Sequence, residues 1–163
     1  MGKLFIECLE RKLKLKKIAN AVFTTLNQTD NIKVELIFEN EDDIQVLNRN
    51  TRGVDKPTDV LSYPNLSDIK GEILKYEHFP LERDGKYIFL GSIVLCDSIV
   101  KKQAQELGHT EEIERQYLIV HGLMHLFGYD HIKLKDKKEM REKEKQALAL
   151  LGIVEEWKVG SLQ

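Results

Sequence analysis

A helix that is apolar on most sides has to lie inside a fold, and residues Tyr117 to Phe127 read as such a helix while carrying His121 and His125. Two imidazoles four positions apart project side by side from one helical face. Gly128 then offers a left-handed turn that ends the helix and lets Tyr129 and Asp130 bring His131 back toward the pair. Three imidazoles buried together without a shared partner would leave several polar groups unsatisfied. The spacing H-x3-H-x5-H therefore predicts a metal site with His121, His125 and His131 as ligands. All-nitrogen ligation suits zinc (Zn2+), one ion per chain, although imidazole also accepts nickel, copper and iron. Three protein ligands leave a fourth position for water, which favours a catalytic over a closed structural site.

The outer histidines and the glycine also fit the peptidase pattern H-E-x-x-H-x-x-G-x-x-H. In that class the glutamate is the general base that activates water, and here its position is Gly122, which has no proton acceptor. The mismatch speaks against peptide hydrolysis by that route.

Around this helix the chain alternates short strand and helix signals. Residues 3–8 read as a strand, and the stretch from there to Leu26 as a helix with a basic start. Ile32, Val34, Leu36 and Phe38 alternate in the manner of a half-buried strand. Asn40 caps a helix whose first turn holds Glu41, Asp42 and Asp43, and Gly53 and Pro57 break it before a brief strand, Asp59–Tyr63, ended by Pro64. Residues 65–86 read as a surface excursion containing a hairpin, and 87–96 as a strand buried on both faces. Asp97 is expected to cap the next helix and Gly108 to stop it; Thr110 opens the histidine helix, and a last helix runs from about Asp136 to Leu151. These elements predict an α+β fold: a single domain over residues 1–163, a small mixed four-stranded sheet with about five helices, one of them central and metal-bearing, and a mobile tail from about 153.

Charge narrows the functional classes. With 25 basic against 27 acidic side chains the net charge is −2, so no protein-wide field draws the chain to nucleic acid or anionic lipid, and a polyanion site has to be local. Two segments are locally basic: Arg11 to Lys17, read as a solvated helix face, and residues 133–145, read as an ion-paired helix exterior. Cys8 and Cys96 have no CxxC spacing and are expected as buried small hydrophobes. Glu7, Glu10 and Arg11 interrupt any signal-peptide core, and no apolar run reaches the length of a membrane span. A soluble, cytoplasmic protein is the expectation.

The segment His121-Gly122-Leu123-Met124-His125-Leu126-Phe127-Gly128-Tyr129-Asp130-His131 resembles the HGxLHLxGYDH signature of the bacterial YbeY family of endoribonucleases, with Met124 where leucine is usual. A second stretch, Leu47 to Pro64, is similar to that family's LNxxyRgxdkpTDVLSFP element, with Tyr63 for phenylalanine and Thr51 for an aromatic. A third is less faithful: the strand that usually contains LGDI reads Leu90-Gly91-Ser92-Ile93, so a hydroxyl stands where an acid is expected near the site.

The resemblance implies a zinc-dependent endoribonuclease specific for single-stranded RNA, acting in rRNA maturation at the 3′ end of the small-subunit rRNA and in ribosome quality control. It implies His121, His125 and His131 as the zinc ligands, His121 and Arg52 as catalytic residues, and Arg52 with Lys56 as substrate-binding residues facing the cleft. From the residues alone Arg52 reads as a surface turn residue in a helix-terminal salt bridge. No residue stands out as a general base: Asp130, next to a ligand, reads first as a turn-former or as a partner of an imidazole, and Asp59 is similarly ambiguous. The implied partners are single-stranded RNA, rRNA and the ribosome or its small subunit, with no membrane or DNA partner. A metal-dependent hydrolase of another substrate and a ribosome-assembly binding module with a structural metal stand as alternatives.

Overall fold

A computed structural model describes residues 2–154. The chain is α+β. Strands β1 (Leu4–Glu7), β2 (Ile32–Phe38), β3 (Val60–Pro64), β4 (Arg83–Asp84) and β5 (Tyr87–Leu95) combine with helices α1 (Lys16–Thr25), α2 (Glu41–Arg52), α3 (Asp97–Leu107), α4 (Glu111–Leu126) and α5 (Leu134–Leu150). The sheet is mixed, in the order β1-β2-β5-β3: β1 and β2 run parallel, as do β2 and β5, while β3 lies antiparallel to β5. It has five strands rather than four. The fifth, β4, forms a two-residue hairpin with the start of β5, along the edge that β3 leaves open. So short a strand carries no alternation for a sequence to display.

The sheet separates two layers of unequal size. One face builds the large core, which unites Val22 of α1, Ile93 of β5, Val100 of α3, Leu118 and Leu123 of α4 and Met140 and Leu148 of α5. The other face is covered by a small cluster of Ile44, Leu61, Val94 and Cys96, with Leu47 of α2 packed against it. Ten residues of α4 are buried, which confirms it as the central helix and explains its near-continuous apolar sequence. Thr110 caps it by accepting a hydrogen bond from the Ile113 amide at 3.1 Å, and Asn40 caps α2 through Asp43 at 2.8 Å.

Several boundaries differ from the sequence reading. The helix expected to follow the first strand begins only at Lys16, so the residues from 9 to 15, with Arg11, Lys12 and Lys14, are not helical. Asp97 does not cap α3. The capping position is Cys96, and Asp97 sits in the first turn, ion-paired with Arg11 and, at 3.6 Å, with Arg115. α5 starts at Leu134. Cys96 is buried as expected but Cys8 only half-buried. Ile153 still packs on the core and Val154 is exposed, and the rest of the tail expected to be mobile lies outside the described residues. Among the described residues no helix is long and apolar enough to cross a membrane.

Two glycines let α4 and the strand beneath it come together. A Cβ on Gly122 would meet Ile93 Cδ1 at 3.0 Å and Ser62 Oγ at 3.2 Å, so α4 rests on β3 and β5 at this residue. The peptidase glutamate would here point into the sheet. Gly91 has φ +145°, and a Cβ there would lie 2.3 Å from the Tyr63 carbonyl oxygen and 3.0 Å from Leu126 Cδ2. Gly91→Ala should cost about 2 kcal/mol or more, because rigid backbone cannot yield. Gly122→Ala should cost less, since the Ile93 methyl can shift. Urea unfolding of both variants checks the order, and equal losses would contradict it.

Candidate metal centre

The Gly128 turn forms as the spacing requires. Gly128 has φ +98°, its amide bonds the His125 carbonyl at 3.0 Å, and the Tyr129 amide bonds the Met124 carbonyl at 3.0 Å. This pair of bonds is a Schellman end. A second constraint also demands glycine: a Cβ at 128 would lie 2.9 Å from the Lys70 amide nitrogen. Asp130 then accepts the Ile132 amide at 3.2 Å, the turn-forming role weighed for it.

The turn brings the three histidines together. Their nearest ligand atoms lie within 4.8 Å of one another, the one such group found among the described residues. Ring centroids are 4.7 Å apart for His121 and His125, 5.7 Å for His121 and His131, and 5.1 Å for His125 and His131. The cluster thus extends beyond the central helix, with two members on α4 and the third on the connection to α5.

Each ring on α4 is oriented through its Nδ1. His121, only 2% exposed, donates from Nδ1 to Glu144 Oε2 at 2.6 Å, and His125 donates from Nδ1 to the Tyr129 carbonyl at 3.0 Å. Both tautomers then present Nε2 to the cluster. Glu144 comes from α5 and is itself buried, with Tyr117 against it. Burial first, and the Glu144 charge second, hold the Tyr117 phenol protonated well above its ordinary range. His131 Nε2 is buried with no hydrogen-bond partner among the described residues. An orphaned imidazole nitrogen costs about 1–3 kcal/mol, and coordination of an ion is the way this donor set satisfies it. The residues therefore fit a divalent metal bound by three imidazoles.

The rings open onto a cleft of about 420 Å³ whose lining includes Arg52, Ser62, Pro64, Asp130 and Ile132. Arg52 ends α2, and its Nη1 donates to Asn48 Oδ1 at 3.3 Å. Asn48 is buried, and its Nδ2 donates to the Lys56 carbonyl at 2.9 Å, so one side chain ties the arginine to the loop that follows. Lys56 is exposed on that loop and lies outside the cleft lining. Ser92 also lies outside it. Ile93 meets α4, so its neighbour Ser92 faces the α2 side, where it donates to Glu35 Oε2 at 3.3 Å. The change from the usual acid therefore falls on the sheet face turned away from the histidines.

Beneath the site lies a buried polar layer. Asp59 is 1% exposed; its Oδ1 accepts the Val60 amide at 2.7 Å while Oδ2 has no partner among the described residues. Burial raises its carboxyl above the ordinary value, opposed by the Val60 amide, by the nearby Gln103 and Thr58 side chains and by His121. Glu114, bonded to His109 Nε2 at 2.7 Å, is raised by burial as well. Sequence reading missed Glu144, Asn48 and Glu114. A signal for Glu144 existed: it falls on the stripe of Met140, Ala147 and Leu148, where a carboxylate is out of place.

A family profile described as Endoribonuclease YbeY matches residues 6–152. Endoribonuclease YbeY of Clostridium perfringens is 34% identical, over 88% of this chain and 88% of that protein. That of Caldicellulosiruptor bescii is 36% identical, over 93% of this chain and 98% of that one. Among solved structures, the solution structure of a Thermotoga maritima protein superposes with a TM-score of 0.56 at 28% identity, covering 98% of this chain and 99% of the other.

Two outcomes follow from the geometry. Glu144→Gln, which keeps shape but weakens the hold on His121 Nδ1, should reduce metal affinity about 10–100-fold by chelator competition; unchanged affinity would contradict the orienting role. Asp59 gives a pH dependence. A carboxyl whose pKa is raised on folding stabilises the fold fully below its unfolded value, and loses that contribution as pH rises through the folded one. Asp59→Asn removes the titration while keeping the side chain's shape. Its stability relative to wild type should rise as pH climbs above the ordinary aspartate range in denaturant titrations, whereas a flat difference would contradict the assignment.

Proposed function

The chain belongs to the YbeY endoribonuclease family, and on that premise we propose that it is a zinc-dependent, single-strand-specific endoribonuclease acting in rRNA maturation, including small-subunit 3′-end processing, and in ribosome quality control. The single observation that carries the chemistry is the convergence of three imidazoles and Arg52 on one open cleft. The proposal takes residues 1–163 as one catalytic domain, works in the cytoplasm, and has single-stranded rRNA within a ribosomal particle as its partner.

When bound by His121, His125 and His131, a divalent ion supplies Lewis acidity toward a phosphoryl oxygen and lowers the pKa of water. The remaining work falls to side chains. Glu144 and the Tyr129 carbonyl hold His121 and His125 in the tautomers that face the cleft. Asn48 orients the Arg52 guanidinium, whose planar donors match two phosphate oxygens as their negative charge grows in the transition state. Lys56, outside the lining, is assigned a flanking phosphate. The cleft's apolar walls, Val60, Leu61, Pro64 and Ile132, leave room for an unpaired base beside the cleaved bond.

The peptidase alternative loses further ground because residue 122 packs into the sheet. The cluster's position on an open cleft favours catalysis over a purely structural metal.

Arg52→Ala should lower kcat on single-stranded rRNA fragments by about 10²–10³, with Arg52→Lys partly restoring it. His121→Ala and the chelated protein should be inactive, and activity should return to the chelated wild type on adding zinc. Equal cleavage by all four would overturn the proposal.

A further inference from the structure

The outer face of α5 carries cations whose natural partners have been drawn away. Residues 133–145 contain seven basic and four acidic side chains, enough for the ion-paired exterior that the sequence suggests. The structure places three of those acids elsewhere. Asp136 and Glu139 face Lys70 at 3.3 and 3.5 Å, and Glu144 is buried against His121. Only Glu142 remains among the cations. Among the described residues no carboxylate comes within 4.0 Å of the charged ends of Lys137, Lys138, Arg141 or Lys145.

These four cations share one side of the helix, within an arc of about 100° at 3.6 residues per turn. With Leu134 and Glu142 they line a shallow groove of about 470 Å³, and from Lys137 to Lys145 it runs about 12 Å along the axis. The groove adjoins the metal cleft. Ile132 lines the cleft and Leu134 the groove, so two consecutive peptide units, about 7 Å of chain, separate them. Both residues are apolar yet exposed, 86% and 72%, and such side chains at a junction give an unpaired base a surface to rest on. The other basic segment is less suited: Arg11 is ion-paired with Asp97, its guanidinium 4.3 Å from the Phe38 ring centroid, and no residue from 11 to 17 lines the cleft or the α5 groove.

We propose that the α5 stripe of Lys137, Lys138, Arg141 and Lys145 is a backbone track for the single-stranded RNA that flanks the cleaved bond, so that the strand leaves the cleft over Ile132 and Leu134 and follows the helix. The track rests on the endoribonuclease reading and adds an extended substrate-binding surface to it. Its recognition is of phosphate charge, without base readout. A chain of net charge −2 thereby gains a directional hold on RNA next to its site.

The test uses the metal-loaded full chain and the triple variant Lys137→Gln, Lys138→Gln, Lys145→Gln, all three at exposed positions away from the histidines. Two single-stranded RNAs are compared, one of about 4 nucleotides that fills the cleft and one of about 16 that extends past it. On the longer RNA, the slope of log affinity against log salt between about 50 and 200 mM should fall by about 2, since each lost phosphate contact removes about 0.7. KM should rise at least about tenfold with kcat unchanged, and the short RNA should be cleaved as by wild type. An unchanged slope and KM on the long RNA, or an equal loss on both RNAs, would overturn the track. So would loss of binding to phosphatidylserine vesicles while RNA binding stays intact. Failure of the underlying reading looks different: wild type would then cleave neither RNA, whatever the variant's salt slope.

Discussion

The hydrogen bond between His121 Nδ1 and Glu144 Oε2, 2.6 Å long and buried on both sides, is the interaction on which the arrangement of this protein turns. A carboxylate so deeply enclosed is tolerable only when its lone pairs are taken up, and His121 with Tyr117 takes them up. The same bond fixes three things at once. It selects the His121 tautomer with Nε2 toward the cleft, it anchors α5 across α4, and it withdraws one acid from the outer face of α5. Metal site, helix packing and surface charge are thus coupled through one side chain.

The close seating of α4 on the sheet makes that bond possible. Gly91 and Gly122 allow the helix to approach strands β3 and β5 where any side chain would hold it off. Gly128 ends the helix with a second close approach, to the backbone at Lys70, and so sets where His131 returns. Arg52 arrives from the other layer of the fold, at the end of α2, held by Asn48. The cleft therefore joins elements from both sheet faces, and two of its polar groups, His121 and Arg52, rest on the buried side chains Glu144 and Asn48.

Much of this was legible in the residue order. The three histidines and Gly128 stand in one short segment, where helical spacing and a left-handed turn relate them directly, and the alternation of β2 and the caps of α2 and α4 are local signals too. Glu144 is distant in sequence, and its helix is so rich in charge that a carboxylate on the apolar stripe passes for one more surface acid. The ion pairs of Asp136 and Glu139 with Lys70 are tertiary for the same reason, so the stripe on α5 looked paired when read along the chain. Asp97 has the residue type of a cap, but Arg11 and Arg115 draw it into ion pairs instead. Ser92 was expected near the site because its strand is; strand alternation puts it on the opposite face. The opening inference from net charge also changes in scope: −2 excludes a global field, while Arg52 in the cleft and Lys137, Lys138, Arg141 and Lys145 on α5 make one side locally cationic.

The central claim is that three imidazole nitrogens, one of them oriented by a buried glutamate, hold a single divalent ion at the floor of an open cleft. X-ray absorption at the zinc edge of the metal-loaded protein tests it most directly. The account predicts one ion per chain with three nitrogen ligands at about 2.0–2.1 Å and room for a light oxygen ligand. A first shell containing sulfur at about 2.3 Å, or one made only of oxygen, would contradict it.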